Sequence, residues 1–149
     1  MTSPFWRTKT YRFLSQAFWL VGAIAWTAVV LDLALQPAGK TGWLVKLLGG
    51  DKVTHGLAFA VGEVVWVKSV ETILRLRRLA ASIIGSLIAL AVGAAIELLQ
   101  RNIPTRTSDY RDFLADLVGV LLALGLLSII AARHASRTSA EIDSHGITK

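Results

Sequence analysis

The sequence predicts an all-α integral membrane protein, a four-helix transmembrane bundle with both termini in the cytoplasm. Three observations carry that prediction. The chain of 149 residues is 54% hydrophobic, with a mean hydropathy of +0.56, which is too apolar for an ordinary soluble domain of this size. Four segments meet or approach the roughly 20 predominantly apolar residues that a spanning helix needs. The basic residues, 16 Lys and Arg against 10 acids for a formal net charge of +6, fall in loops and tails, where they contact anionic headgroups and fix topology.

The first span runs from Phe13 to Leu35, behind a basic segment over residues 1–12 that carries Arg7, Lys9 and Arg12. That start superficially resembles a signal peptide, but the apolar run is too long and no small-residue cleavage site follows it. Gln36-Pro37-Ala38-Gly39-Lys40 then breaks the chain. The stretch Trp43 to Leu48 reads as a short interfacial amphipathic half-helix that stops at Gly49-Gly50.

The second span, Val53 to Val70, is the weakest, because Glu63 and Lys68 interrupt it. Lys68 can snorkel to the interface and Glu63 can face the bundle. A short, basic link from Glu71 to Arg78 leads to the third span, Leu79 to Leu99, and the fourth runs from Phe113 to Ala132. The membrane domain is thus expected over residues 13–132. Beyond Arg133 the chain turns polar without apolar periodicity, so residues 133–149 are expected to form a frayed tail.

Orientation follows from positive charge in short loops. The N-terminal segment, the middle link with Lys68, Arg75, Arg77 and Arg78, and the C-terminal flank with Arg133 and Arg137 belong in the cytoplasm. The other two loops also carry Lys and Arg, but with acids beside them. This places two clusters of ionisable residues together on the extracytoplasmic face: Asp51-Lys52-Val53-Thr54-His55, and the run from Glu97 through Gln100, Pro104 and Arg106 to Asp112. Charged groups near the bilayer centre cost about 2.5–3.5 kcal/mol each on insertion scales, so such clusters point first to function.

With no cysteine, chemistry falls to carboxylates, histidine, arginine and hydroxyls. Asp51 and His55 are four residues apart, neighbours on one helix face, so the carboxylate can orient the imidazole as a general base or ligand switch. The plainer alternative is that Asp51 caps the helix and favours its positive dipole end. Gly85, Ala89, Gly93 and Glu97 recur every four residues as a small-residue packing stripe that carries Glu97 into the bundle. Arg106, in a loop stiffened by Pro104, is the cation expected to meet Glu97 and to grip a carboxylate or phosphate, or else it is simply solvated.

Ser108 or Asp109 is expected to cap the last helix, where Asp112, Asp116, Gly119 and Ala123 form one stripe and Asp116 lies deeper than a cap requires. Asp51, His55, Glu97 and Arg106 are therefore the candidate catalytic or ligand-binding set, with Gln100, Asp112 and Asp116 in support. These carboxylates with His55 match no specific metal motif, so metal and cofactor stay unassigned. Asp32 reads as hydrated at the end of the first helix. Glu63 points about 80° away from His55 and is peripheral.

Taken together, Asp51-Lys52-Val53-Thr54-His55, Glu97-Leu98-Leu99-Gln100 with Pro104 and Arg106, and Asp112 with Gly119 resemble the VanZ-like family of small bacterial membrane proteins. The resemblance spans the second to the fourth span. It implies a multi-pass protein of the bacterial cytoplasmic membrane, with the motif residues gathered at one membrane face. At the position where the family's Asp-x-x-x-Asn segment has Asn, this chain has Asp116.

The expected function is binding or modifying a cell-envelope component, such as a lipid-linked or phosphate-bearing glycan, at the extracytoplasmic face. The alternative is a noncatalytic accessory subunit of a membrane complex. Membrane lipids, a lipid-linked envelope precursor and a membrane-protein partner or second copy of the chain are the partners this reading admits, and nucleic acid is not among them.

Overall fold

The computed structural model describes residues 5–104 and 109–144. They form five helices, α1 (Phe5–Leu35), α2 (Ala38–Leu47), α3 (Asp51–Leu74), α4 (Arg78–Gln100) and α5 (Tyr110–Ser144), and no strand occurs among the described residues. The breaks have local causes. Pro37 precedes α2 with φ −53°, a value its ring imposes. Gly49 and Gly50 turn α2 into α3 with φ of 94° and 119°, which side-chain-bearing residues rarely adopt. Arg75 ends α3 in the left-handed region, at φ 53°.

Two boundaries differ from those expected. α1 begins at Phe5, eight residues before Phe13, because Arg7, Lys9 and Arg12 lower hydropathy without opposing helix formation. Likewise α5 continues to Ser144, so residues 134–144 extend the helix where a frayed tail was expected. Propagating an existing helix adds one hydrogen bond per residue fixed, and Ala, Arg and Glu are good formers.

Three helices hold stretches long and apolar enough to cross a membrane, Lys9–Leu35, Arg78–Gln100 and Tyr110–Arg137, which marks the chain as a membrane protein. Their outward faces carry large apolar side chains, including Phe13, Phe18, Leu87, Leu122 and Leu126, a surface suited to lipid contact rather than water. By contrast, α3 carries Asp51, Lys52, His55, Glu63, Lys68 and Glu71. It occupies the centre, packed against α5, α4 and α1 and touching α2.

Cross-helix contacts fix the directions. Gln16 donates to the Thr72 carbonyl at 2.9 Å and the Trp26 indole to the Ala58 carbonyl at 2.9 Å, so α1 and α3 are antiparallel. Ser86 Oγ donates to Glu63 at 2.8 Å and Gly93 faces the Phe59 ring, so α4 is antiparallel to α3. α5 runs parallel to α3. Gly119 abuts Gly56 there so closely that a Cβ at residue 119 would stand 2.9 Å from the Gly56 carbonyl carbon, backbone against backbone as small residues permit. The core holds Phe59, Ala89, Ile96 and Val120. Trp26 meets Phe59 edge to face, with centroids 5.4 Å apart, a geometry worth about 0.5–1.5 kcal/mol beyond area burial.

Candidate functional site

The Gly56–Gly119 contact sets the register that builds the site. One residue before Gly56 stands His55, and three before Gly119 stands Asp116. Their side chains meet at 2.9 Å between Nδ1 and Oδ1, with His55 16% exposed and Asp116 1% exposed. Such a pairing fixes the ring and its tautomer, leaving the other nitrogen for exchange with a ligand. The second Asp116 oxygen, Oδ2, is buried with no hydrogen-bond partner among the described residues. Gly93 leaves room for it, since a Cβ there would lie 2.7 Å from Oδ2 and 3.1 Å from the Phe59 ring.

One turn nearer the helix ends, the Lys52 ammonium gathers three carboxylates. It contacts Asp112, reaches Asp109 at 3.1 Å and lies 3.8 Å from Asp51. Burial works against the ammonium, but the hydrogen bonds to Asp112 and Asp109 outweigh it and raise its pKa above 10.5. Asp109 is held below the ordinary carboxylate value, first by the Arg111 backbone N–H and then by Lys52. That N–H donates to Asp109 Oδ1 at 2.9 Å, the capping role expected of either Ser108 or Asp109. The Asp109 N–H in turn donates to Glu97 Oε2 at 3.1 Å, so the buried Glu97 ties the end of α4 to the start of α5.

The structure therefore brings together Asp51, His55, Glu97, Asp112 and Asp116 at one end of the helices. Gln100 stands at the same end and donates to the Ala34 carbonyl at 3.0 Å, holding α4 to α1. Arg106 lies outside the described residues. The orienting carboxylate for His55 is Asp116, with Asp51 remaining an exposed residue in the first turn of α3. Glu63 is separate, as expected: it is fully buried against Ser86, while Lys68 pairs with Glu71 at 2.7 Å. Asp32 is exposed and accepts from Gln36.

Lys52 is the site residue that the spacing of acids and histidine passed over. A cation in the first turn of a helix opposes the macrodipole, and that local conflict signals a need for acidic partners. Ligand atoms of Asp51, His55 and Asp112 lie within 4.8 Å of one another, a spacing that fits a cation. Lys52 already supplies one to Asp112 and Asp51, so a metal ion there has to displace it.

On its other side His55 borders a cavity of about 80 Å³ between α1, α2, α3 and α4, where Thr41, Asp51, Phe59, Ile96 and Gln100 also stand. This volume holds several waters. It is small beside the roughly 300–1,000 Å³ of drug-sized ligand pockets. The arrangement can therefore move a proton between His55 and a water or hydroxyl that enters from the helix ends. No family model matches the chain, and no curated protein or solved structure matches it either.

Proposed function

We propose that the chain is a VanZ-like protein of the bacterial cytoplasmic membrane, a four-helix transmembrane bundle of α1, α3, α4 and α5 with both termini in the cytoplasm. On this reading it binds or modifies an envelope component at the extracytoplasmic face. The observation that carries it is His55, held by the buried Asp116 carboxylate on one side and bordering a cavity on the other, a pairing suited to a general base. The described acids outnumber the cations around them. Hydroxyl or ammonium groups of a headgroup thus suit Asp51 and the cavity mouth, and Arg106 is assigned to a phosphate.

The test is purification with native lipids retained, followed by turnover assays on lipid-linked glycans. Turnover per folded molecule lost in His55→Ala supports modification; a copurified headgroup without turnover supports binding. If neither is seen, and activity in cells follows only the amount of folded protein, the proposal fails. One observation favours the second reading, an accessory subunit: Lys52 already holds the neighbouring carboxylates, so the cluster has a structural role without a ligand. A stoichiometric membrane partner that copurifies and is lost in Lys52→Met would support that reading.

A further inference from the structure

At the opposite end of the helices from His55, α4 and α5 leave a groove of about 580 Å³ between them. Arg78 stands at its head. Leu79, Ser82, Ile83 and Leu87 of α4 and Leu124 and Ser128 of α5 are among the residues of its walls. From Arg78 to Leu87 the groove covers about 14 Å at 1.5 Å rise per residue, close to half of the roughly 30 Å hydrocarbon core. Its length is thus that of one leaflet, and its larger side chains below Arg78 are aliphatic, as an acyl chain prefers.

The head of the groove is basic. Arg75, Arg77 and Arg78 fall within four residues at the α3–α4 turn, Arg75 and Arg77 are exposed, and no acid stands among them. The nearest one in sequence, Glu71, is taken by Lys68 at 2.7 Å. Arg78 reaches across to the Leu127 carbonyl, which holds its guanidinium over the groove with further N–H donors to spare. Cationic pockets between spanning helices suit anionic headgroups, and arginine presents a planar fork to phosphate.

We infer that the α4–α5 groove binds one anionic phospholipid, with its phosphate on Arg75, Arg77 and Arg78 and an acyl chain along Leu79, Ile83, Leu87 and Leu124. The inference is independent of the proposal for His55, and it holds whichever way the helices cross the membrane.

The test is a lipid titration of the purified full chain in neutral detergent, read as melting temperature and as lipid bound in native mass spectra. Phosphatidylglycerol is expected to bind saturably at one copy and raise the melting temperature, while phosphatidylcholine and soluble glycerol phosphate are not. Arg75→Gln with Arg77→Gln, both at exposed positions, is expected to weaken phosphatidylglycerol about ten- to thirtyfold. Ser82→Leu, which fills the groove wall and leaves the arginines in place, is expected to abolish one-copy binding. Equal binding of phosphatidylcholine, equal binding of glycerol phosphate, or unchanged affinity in either variant overturns the inference.

Discussion

Gly119 of α5 rests against the carbonyl group of Gly56 in α3, and that contact decides which polar groups meet. It aligns two parallel helices so that His55 pairs with Asp116 and Lys52 with Asp112, each across the same seam. Packing and chemistry are therefore not separable here, because the side chains meet only as long as the backbones touch.

Gly119→Ala is expected to push the helices apart and lower stability by about 1–3 kcal/mol, the usual cost of overfilling a packed contact. Gly125→Ala is the control on the same helix, since nothing lies within 4 Å of an added Cβ there. Thermal melting in detergent should separate the two variants. Equal melting would mean that α3 and α5 do not pack at Gly56.

His55→Ala leaves the buried Asp116 carboxylate without its partner, and about 3 kcal/mol of destabilisation is expected, as for other broken buried pairs. Asp116→Asn should cost about 1 kcal/mol, because an amide oxygen still accepts from the ring. The double variant is expected to lose clearly less than the sum of the two. Strict additivity in denaturation experiments would show that the residues act apart.

The Lys52 cluster should give stability a defined pH window. Asp109 has its pKa lowered in the folded chain below 3.8, so its contribution is present above that value and lost as pH falls through the folded pKa. Lys52 has its pKa raised above 10.5, so its contribution is present below that value and lost as pH rises through the folded pKa. The melting difference between the native chain and Lys52→Met should be flat at neutral pH and shrink at both extremes. A difference that stays constant into acid and alkali would remove the cluster from the stability account.

Arrangement in the membrane is open to labelling because the native chain has no cysteine. Asn102→Cys, at the α4–α5 turn, is expected to react with an impermeant maleimide added outside intact cells. Arg77→Cys, at the α3–α4 turn, should react only after lysis. The reverse pattern would invert the proposed orientation and move His55 to the cytoplasmic face.

Much of the architecture was legible because hydropathy and small-residue spacing are local signals. The third span was expected over Leu79 to Leu99 and α4 covers Arg78–Gln100; the stripe of Gly85, Ala89 and Gly93 is buried with Glu97 at its end. Helix ends were less legible. At Phe5 and Ser144 the helices run on through polar sequence, which hydropathy does not register. Within the site, the spacing of Asp51 and His55 shows one helix only. The choice of Asp116 over Asp51 as partner depends on the offset between α3 and α5, a relation between distant segments. Ser108 or Asp109 was expected to cap α5; Asp109 does so, while Ser108 lies outside the described residues, and the salt link from Asp109 to Lys52 also required that offset.

The central position of α3 has a consequence for how the chain is made. In the four-helix arrangement proposed above, α3 on its own would bring Glu63 to mid-depth and Asp51, Lys52 and His55 to one end with no neighbours, and an unpaired charge at mid-depth costs about 2.5–3.5 kcal/mol. The partners that relieve this arrive later in synthesis: Ser86 on α4 for Glu63, then Asp112 and Asp116 on α5 for Lys52 and His55. If the four-helix arrangement proposed above holds, insertion of α3 is expected to be completed only when the last helix emerges from the ribosome. A nascent chain arrested before Tyr110 should remain beside the insertion machinery, and a chain truncated there should be a substrate for membrane proteolysis.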